Sequence, residues 1–242
     1  MAPRFPGRKL FGWISLIPLL VLAIMAIGGY FDRHPTRWLA PTGPRRPDVV
    51  AVYFSGDMGL TVGLGEGAMA ALRRDGVAVL AVNCSTLFRK ARNRAFVDAL
   101  VADIMRRALA ESGASRIVVM GGSFGADVLD TGIGALPPDL ARRIASVVLI
   151  VPGTQVFFHA NPTGLFYAGV PDSDPRLTAR ALRGLPVTCI YGRDEADSLC
   201  RTRALAGARR VAIPDGHLML SHYRLLADET ARAALSPPPP MR

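Results

Sequence analysis

The chain has 242 residues, half of them hydrophobic, which fits one sizeable domain with a buried core and excludes wholesale disorder. Its formal charge is +10, carried almost entirely by arginine, with Lys9 and Lys90 as the two lysines. No basic stripe interleaved with aromatics accompanies that charge, so no nucleic-acid partner is expected; attraction to an anionic membrane surface is better motivated.

Residues 1–31 come first. Arg4, Arg8 and Lys9 precede "LFGWISLIPLLVLAIMAIGGYF", which stays uncharged until Asp32. A cationic start followed by an apolar run is the pattern of a targeting segment. At about twenty residues it is long enough to span a bilayer. Ala26 and Gly28 also offer a small-residue cleavage site, so an uncleaved anchor and a cleaved signal peptide both fit. Either would export the rest of the chain, giving a periplasmic, secreted or inner-membrane-anchored protein. Residues 32–47, rich in Pro and Arg, read as a linker.

From residue 48 to 236 strands and helices alternate. "VVAVYF" (49–54) is a β-branched apolar run suited to a strand buried on both faces. The loop "SGDMGLTVGLGEG" follows, then a helix in "AMAALRRDG" capped by Gly76. "VAVLAV" (77–82) is the next strand. "RAFVDALVADIMRRALAES" is a long amphipathic helix with Phe96, Leu100, Ile104 and Leu109 on one face, closed by Gly113. "RIVVM" (116–120) is a strand that runs into a serine turn, after which a helix should begin near Phe124. Further strands are expected in "SVVLIV" (146–151), "VTCIY" (187–191) and "RVAI" (210–213), and a last helix from about Tyr223 to Leu235. Residues 152–186, with Phe157, Phe158, Phe166 and Tyr167, suit either a small lid and apolar wall or an ordinary loop with buried aromatics. Residues 237–242 are a Pro-rich tail. The alternation implies a mostly parallel sheet with helices on both faces and a minimal cap.

The serine turn is "MGGSFGAD". Glycines two positions either side of Ser123 fit the G-x-S-x-G bend, in which a strand reverses sharply into a helix and exposes the serine side chain. A serine hydroxyl needs a base, an acid to orient the base, and donors for an oxyanion. In this architecture the acid and then the histidine follow the serine in the chain. Asp194, Glu195 and Asp197 lie after "VTCIYG", at the end of a strand. Glu195, three residues after Gly192, is the first choice, Asp197 the second and Asp194 the third. Of the four histidines, His217 in "IPDGHLML" stands after the last strand, where the base belongs. His222 is placed on a helix surface. The oxyanion donors would be the Phe124 N–H at the helix start and the N–H of Asp57 or Met58. Asp127, one turn past the serine, would either hold the loop 55–59 or meet a cationic substrate group. Cys189 and Cys200 flank the acidic loop and suit a disulfide in an oxidising compartment, or two reduced thiols. No CxxC or histidine cluster calls for a metal, and no cofactor is expected.

Together, "YFSGDMG", "GGSFGADVL", "CIYGRDEADSLC" and "IPDGHLM" resemble the VirJ/AcvB family of bacterial virulence-associated proteins, over about residues 49–235. The length resembles the single-domain VirJ form. The resemblance implies an α/β-hydrolase fold in the periplasm. Its AcvB branch implies hydrolysis of the aminoacyl ester of lysyl-phosphatidylglycerol, and its VirJ branch association with type IV secretion components. It places the nucleophile at Ser123, the acid within 194–197, the base at His217 and paired cysteines at Cys189 and Cys200. The chain departs from the family pattern at Met58 and Leu60, where Gly and Trp are favoured, at Gly122, where Tyr is, and at Leu218, where a second His is common. The expected function is therefore an exported serine hydrolase acting on an aminoacylated membrane phospholipid. The competing expectations are an accessory binding protein of a secretion complex and a general exported carboxylesterase or lipase.

Overall fold

A computed structural model describes residues 16–61, 63–161 and 167–242. The cationic start of the N-terminal segment and Phe166 lie outside the described residues. The chain runs α1 (Leu16–Ile27), β1 (Thr36–Leu39), β2 (Val49–Phe54), α2 (Glu66–Arg74), β3 (Ala78–Val82), the short α3 (Cys84–Leu87) and α4 (Arg94–Ser112). It continues with β4 (Arg116–Gly122), α5 (Phe124–Ile133), the short α6 (Pro138–Ala141), β5 (Ile144–Ile150), the short α7 (Pro175–Thr178), β6 (Val187–Gly192), β7 (Arg209–Ile213) and α8 (Tyr223–Leu235). Among the described residues no helix is long and apolar enough to cross a membrane.

Seven strands form one sheet in the order β1-β3-β2-β4-β5-β6-β7, all parallel except β1, which pairs antiparallel with β3. The apolar runs become strands buried on both faces. In β2, Val50, Val52 and Phe54 point into one core layer and Ala51 and Tyr53 into the other. The first layer packs against α4 and α5, the second against α2 and α8. This is the mostly parallel, doubly covered sheet expected from the alternation of elements, and the α/β-hydrolase fold that the resemblance implies.

Two expectations change. Residues 32–47 are not a free linker: Thr36–Leu39 is the edge strand β1, and Thr42 N–H and Arg46 N–H donate to Arg73 and Gly76 carbonyls at the end of α2. A four-residue strand between prolines is too short to show periodicity, and its partner is remote in sequence. The face of α4 is also rotated from the expected one. Val97, Val101, Ile104, Met105 and Ala108 are buried, while Phe96, Leu100 and Leu109 are only partly so. The small and β-branched residues let α4 approach the sheet, and the larger ones close its flanks. Its ends are as expected: Asn93 caps the Phe96 N–H at 2.9 Å, and Gly113 terminates it with φ +72°.

The chain order reverses beside β2. From β2 it steps outward to β3, then returns across β2 to β4, so the crossovers leave the sheet on opposite faces. Such a switch point opens a crevice at the carboxyl ends of the strands.

Candidate active site

Ser123 sits where β4 turns into α5, with φ 49° and ψ −122°. A non-glycine residue with positive φ is strained, and here the strain aims the hydroxyl out of the turn. The neighbouring glycines make the bend possible. A Cβ on Gly121 would lie 2.4 Å from the Gly125 carbonyl, and a Cβ on Gly125 would lie 2.1 Å from that of Phe54. Gly122 faces Tyr53, whose hydroxyl would be 2.6 Å from a Cβ there. The Ser123 N–H is fixed on the Ile150 carbonyl at 2.8 Å.

His217 follows β7 and meets the serine: its Nε2 is 2.8 Å from Ser123 Oγ. Its Nδ1 is 2.5 Å from Glu195 Oε1. The carboxyl of Glu195 is nearly buried, and its Oε2 also faces the Gly192 N–H at 3.4 Å. With Nδ1–H donating to Glu195, Nε2 is left free to accept the serine proton. Of the three acids weighed, Glu195 is the one at the histidine. Asp197 is exposed at the cavity mouth with no bond to His217, and Asp194 is exposed and uses its N–H on the Asp215 carbonyl. The spacing after β6 explains the selection: the Glu195 N–H closes a turn onto the Gly192 carbonyl at 3.1 Å, which folds the side chain back toward the sheet edge.

The acid loop is closed by a disulfide between Cys189, on β6, and Cys200, with Cα atoms 5.5 Å apart. The histidine loop is closed by Asp215, which the sequence reading did not single out. Its carboxylate accepts from the N–H groups of Gly216, Ser221 and His222, and pairs with His222 Nδ1 at 3.3 Å. Desolvation opposes its ionisation, but these donors hold it below its usual carboxylate range. The Asp-Gly pair in "PDGH" is the turn signal that marks it. His222 therefore belongs to the loop clamp and stands at the position just before α8, without a side-chain bond to the helix.

The expected oxyanion donors come from two elements. Phe124 N–H is the first of α5 and has no carbonyl a turn earlier to bond. Asp57 and Met58 form the tip of a tight turn closed by Gly59 N–H on the Gly56 carbonyl at 3.1 Å. That turn abuts the serine: a Cβ on Gly56 would lie 3.5 Å from the Ser123 Cβ. Asp57, Met58 and Phe124 all line the cavity that holds Ser123 and His217.

This cavity has a volume of about 900 Å³. Its walls include Leu64, Phe157, Tyr167 and Met219, so among the described residues of 152–186 Phe157 and Tyr167 supply an apolar wall, while Phe158 is buried in the core. Phe157 and Tyr167 stack with ring centres 4.9 Å apart. Two buried carboxyls also face it. Burial pushes Asp57 up to about 6, although the Tyr167 hydroxyl and the Asn161 N–H donate to it. Burial raises Asp127 well above its ordinary value, against the Gly153 N–H that donates to it at 2.9 Å and with Asp130, Asp57 and Glu195 adding repulsion. Asp127 thus holds the loop after β5 and not the loop 55–59, correcting that half of the expectation.

Fold and site together define an α/β-hydrolase domain with a Ser-His-Glu constellation at its switch point. The chain belongs to the family described as "Bacterial virulence protein (VirJ)", whose sequence profile matches residues 48–235. No curated protein matches it significantly. Among solved structures it is similar to an alpha-beta serine hydrolase homologue from Coxiella burnetii, at TM-score 0.58 and 14% identity over 81% of this chain and 89% of that one. It is also similar to Est1E from Butyrivibrio proteoclasticus with bound ferulic acid, at TM-score 0.57 and 13% identity over 83% and 93%. A third is XC6422 from Xanthomonas campestris, an α/β serine hydrolase without a lid, at TM-score 0.54 and 16% identity over 83% and 87%. Identities this low establish the fold.

Proposed function

We propose that this protein is an exported serine hydrolase that cleaves a carboxylic ester, with the aminoacyl ester of lysyl-phosphatidylglycerol or a related aminoacylated phospholipid as its substrate. The observation that carries the proposal is the continuous relay Ser123 Oγ–His217 Nε2 and His217 Nδ1–Glu195 Oε1, at 2.8 and 2.5 Å. Ser123 attacks the ester carbonyl while His217 Nε2 takes its proton. Glu195 holds the ring in the correct tautomer and stabilises the imidazolium. The negative charge on the carbonyl oxygen rests on the Phe124 N–H and on that of Asp57 or Met58. His217 returns its proton to the departing alcohol, the glycerol hydroxyl of the lipid. Water, deprotonated by the same histidine, then releases the amino acid and restores the serine.

Several features favour an aminoacyl lipid. The cavity combines an apolar wall with two buried carboxyls, Asp57 and Asp127. Burial raises the pKa of both, and an ammonium group beside them would favour their charged form. The disulfide favours an oxidising compartment, as export to the periplasm would provide. The test is release of lysine or alanine from aminoacylated phosphatidylglycerol by purified protein, with Ser123→Ala as control. Turnover lost in Ser123→Ala supports the proposal. Turnover of simple esters alone would replace the substrate with that of a general carboxylesterase. Fluorophosphonate labelling that persists in Ser123→Ala would remove the serine from its role.

A further inference from the structure

The N-terminal helix is joined to the rim of the serine cavity. Strand β1 runs antiparallel to its neighbour, so Thr36 stands opposite Val82 and Leu39 opposite Val79. The beginning of β1, not its end, therefore lies at the carboxyl edge of the parallel strands. That is the edge from which Ser123, Glu195 and His217 project. Asn83 N–H donates to the Pro35 carbonyl at 2.7 Å and fixes this placement. Everything that precedes β1 enters the domain from the active-site side.

The join itself is built in. Gly28 and Gly29, directly after α1, are buried. Asn83 Nδ2 donates to their carbonyls at 3.1 and 3.2 Å, and Thr86 Oγ1 donates to Gly29 O at 2.7 Å. A Cβ on Gly28 would lie 2.2 Å from Met58 O, and one on Gly59 would lie 1.6 Å from Gly28 O. Gly28 thus packs on the outer side of the Gly56–Gly59 turn, whose inner side touches Ser123. Cutting the chain after Ala26 or Gly28 would remove a packed segment. It would also leave a terminal ammonium in or beside a buried site lined by amide and hydroxyl donors, a costly arrangement.

Apolar side chains stand exposed on two elements that join this edge. Leu19, Leu20, Leu22 and Ile27 belong to α1, with Phe31 shortly after Gly28, which packs on the Gly56–Gly59 turn. In the His217 loop, Leu218, 58% exposed, and Leu220, 80% exposed, line the cavity. Exposed leucines this large, next to a helix without a charge, mark a surface that is covered by something apolar. The occupant is a lipid bilayer. The uncharged run 10–31 suits hydrocarbon, and Arg33, directly after Asp32, and Arg37, in β1, are placed for an anionic headgroup layer.

We propose that the N-terminal segment is retained as an anchor, and that α1 and the His217 loop seat the domain on the bilayer with the mouth of the Ser123 cavity facing the lipid. An ester lipid then reaches the serine by sliding out of the membrane, without crossing water. The proposal does not depend on Ser123 being a nucleophile, because the seating is read without turnover.

The full chain is reconstituted in vesicles of phosphatidylcholine and phosphatidylglycerol, with a polarity-sensitive NBD label on one introduced cysteine. The sites are Leu220→Cys, Leu218→Cys, Phe31→Cys and, at the amino edge of the sheet, Asp139→Cys. The chain's own free thiol, Cys84, is buried and stays unlabelled in the folded protein. Labels at 31 and at 220 or 218 should shift to the blue and brighten several-fold, and lipid-borne quenchers should reach them, with the label at 139 unchanged. A water-like signal at both 218 and 220 while 31 responds would mean an anchor with the mouth turned away, and would overturn the seating. The mass of the exported protein is the second readout: a chain retaining residues 10–31 is expected, and one beginning after Ala26 or Gly28 would overturn the anchor.

Discussion

Replacing Glu195 by Gln is the sharpest test of the relay. The substitution keeps the shape of the side chain and removes its charge. In the proposed mechanism His217 is an imidazolium in the transition state, and with its Nδ1 2.5 Å from Glu195 Oε1 the two charge centres lie about 4 Å apart. At an effective dielectric of about 20, two unit charges at that distance interact by about 4 kcal/mol, which corresponds to about a thousandfold in rate. The side chain of Glu195 is 8% exposed, but that of His217 is 42% exposed, so water screens part of this interaction. The expected loss in kcat is therefore about 10²–10³-fold, with a smaller change in KM. Asp197→Asn removes an equal charge from the cavity mouth and should cost less than about threefold. The assay is hydrolysis of a chromogenic short-chain ester, with fluorophosphonate labelling rates as a second measure and thermal unfolding as the check on folding. An Asp197→Asn variant as damaged as Glu195→Gln would refute the reasoning, as would a loss below tenfold in Glu195→Gln.

Asp130 is buried in α5, and burial pushes its carboxyl up to about 7, against a hydrogen bond from Thr178 and the nearby Arg94. Its unfolded value is about 3.9, so the two states bind protons alike below that pH. Between about 4 and 7 the unfolded chain releases a proton that the fold retains, and stability falls as pH rises; the total is roughly 4 kcal/mol. Asp130→Asn should therefore gain on the parent by up to that amount between pH 4 and pH 8 in denaturant titrations, and an equal difference at both pH values would contradict this. Gly125→Ala would place a methyl 2.1 Å from the Phe54 carbonyl and 2.5 Å from that of Ser55. Because both are backbone atoms, it should destabilise by about 1–3 kcal/mol and lower activity by displacing the turn that carries Asp57; wild-type melting would show that the approach is looser. Replacing Cys189 and Cys200 together by Ala should cost about 3 kcal/mol through the freed loop, and reductant should shift the parent protein by a similar amount, both read by thermal unfolding.

Much of this was legible in the sequence because it is local. The six parallel strands are short, mostly apolar runs, β7 opening with two arginines, and each is found where its run lies. Ser123 was legible because the turn needs glycine at fixed offsets, and those needs reappear as the short Cβ distances at Gly121 and Gly125. His217 and the acid loop followed from their order after strands. The choice of Glu195 over Asp197 rested on an offset alone. What decides it is the turn on Gly192, a backbone feature that charge patterns do not report. The edge strand β1 was hidden because four residues carry no period. The Asp57–Tyr167 contact was hidden because it joins residues 110 positions apart, and nothing in either neighbourhood requires it.

The loops around the serine are held by different means, and the means follow from what each loop must resist. The elbow at Ser123 needs little outside help, since it lies between β4 and α5 at the centre of the sheet and strain is absorbed by buried structure on both sides. Glu195 and His217 come from β6 and β7, near the edge, where fewer neighbours restrain a loop. Each carries an added closure, the Cys189–Cys200 disulfide for the acid and the Asp215 clamp for the base. The Gly56–Gly59 turn is a third case. It follows the interior strand β2, and its outer side is packed directly against Gly28. Catalysis by aligned dipoles requires that such donors be fixed before the charge develops. The segment after the N-terminal helix packs on this turn, so it contributes to holding the loop that carries Asp57 and Met58.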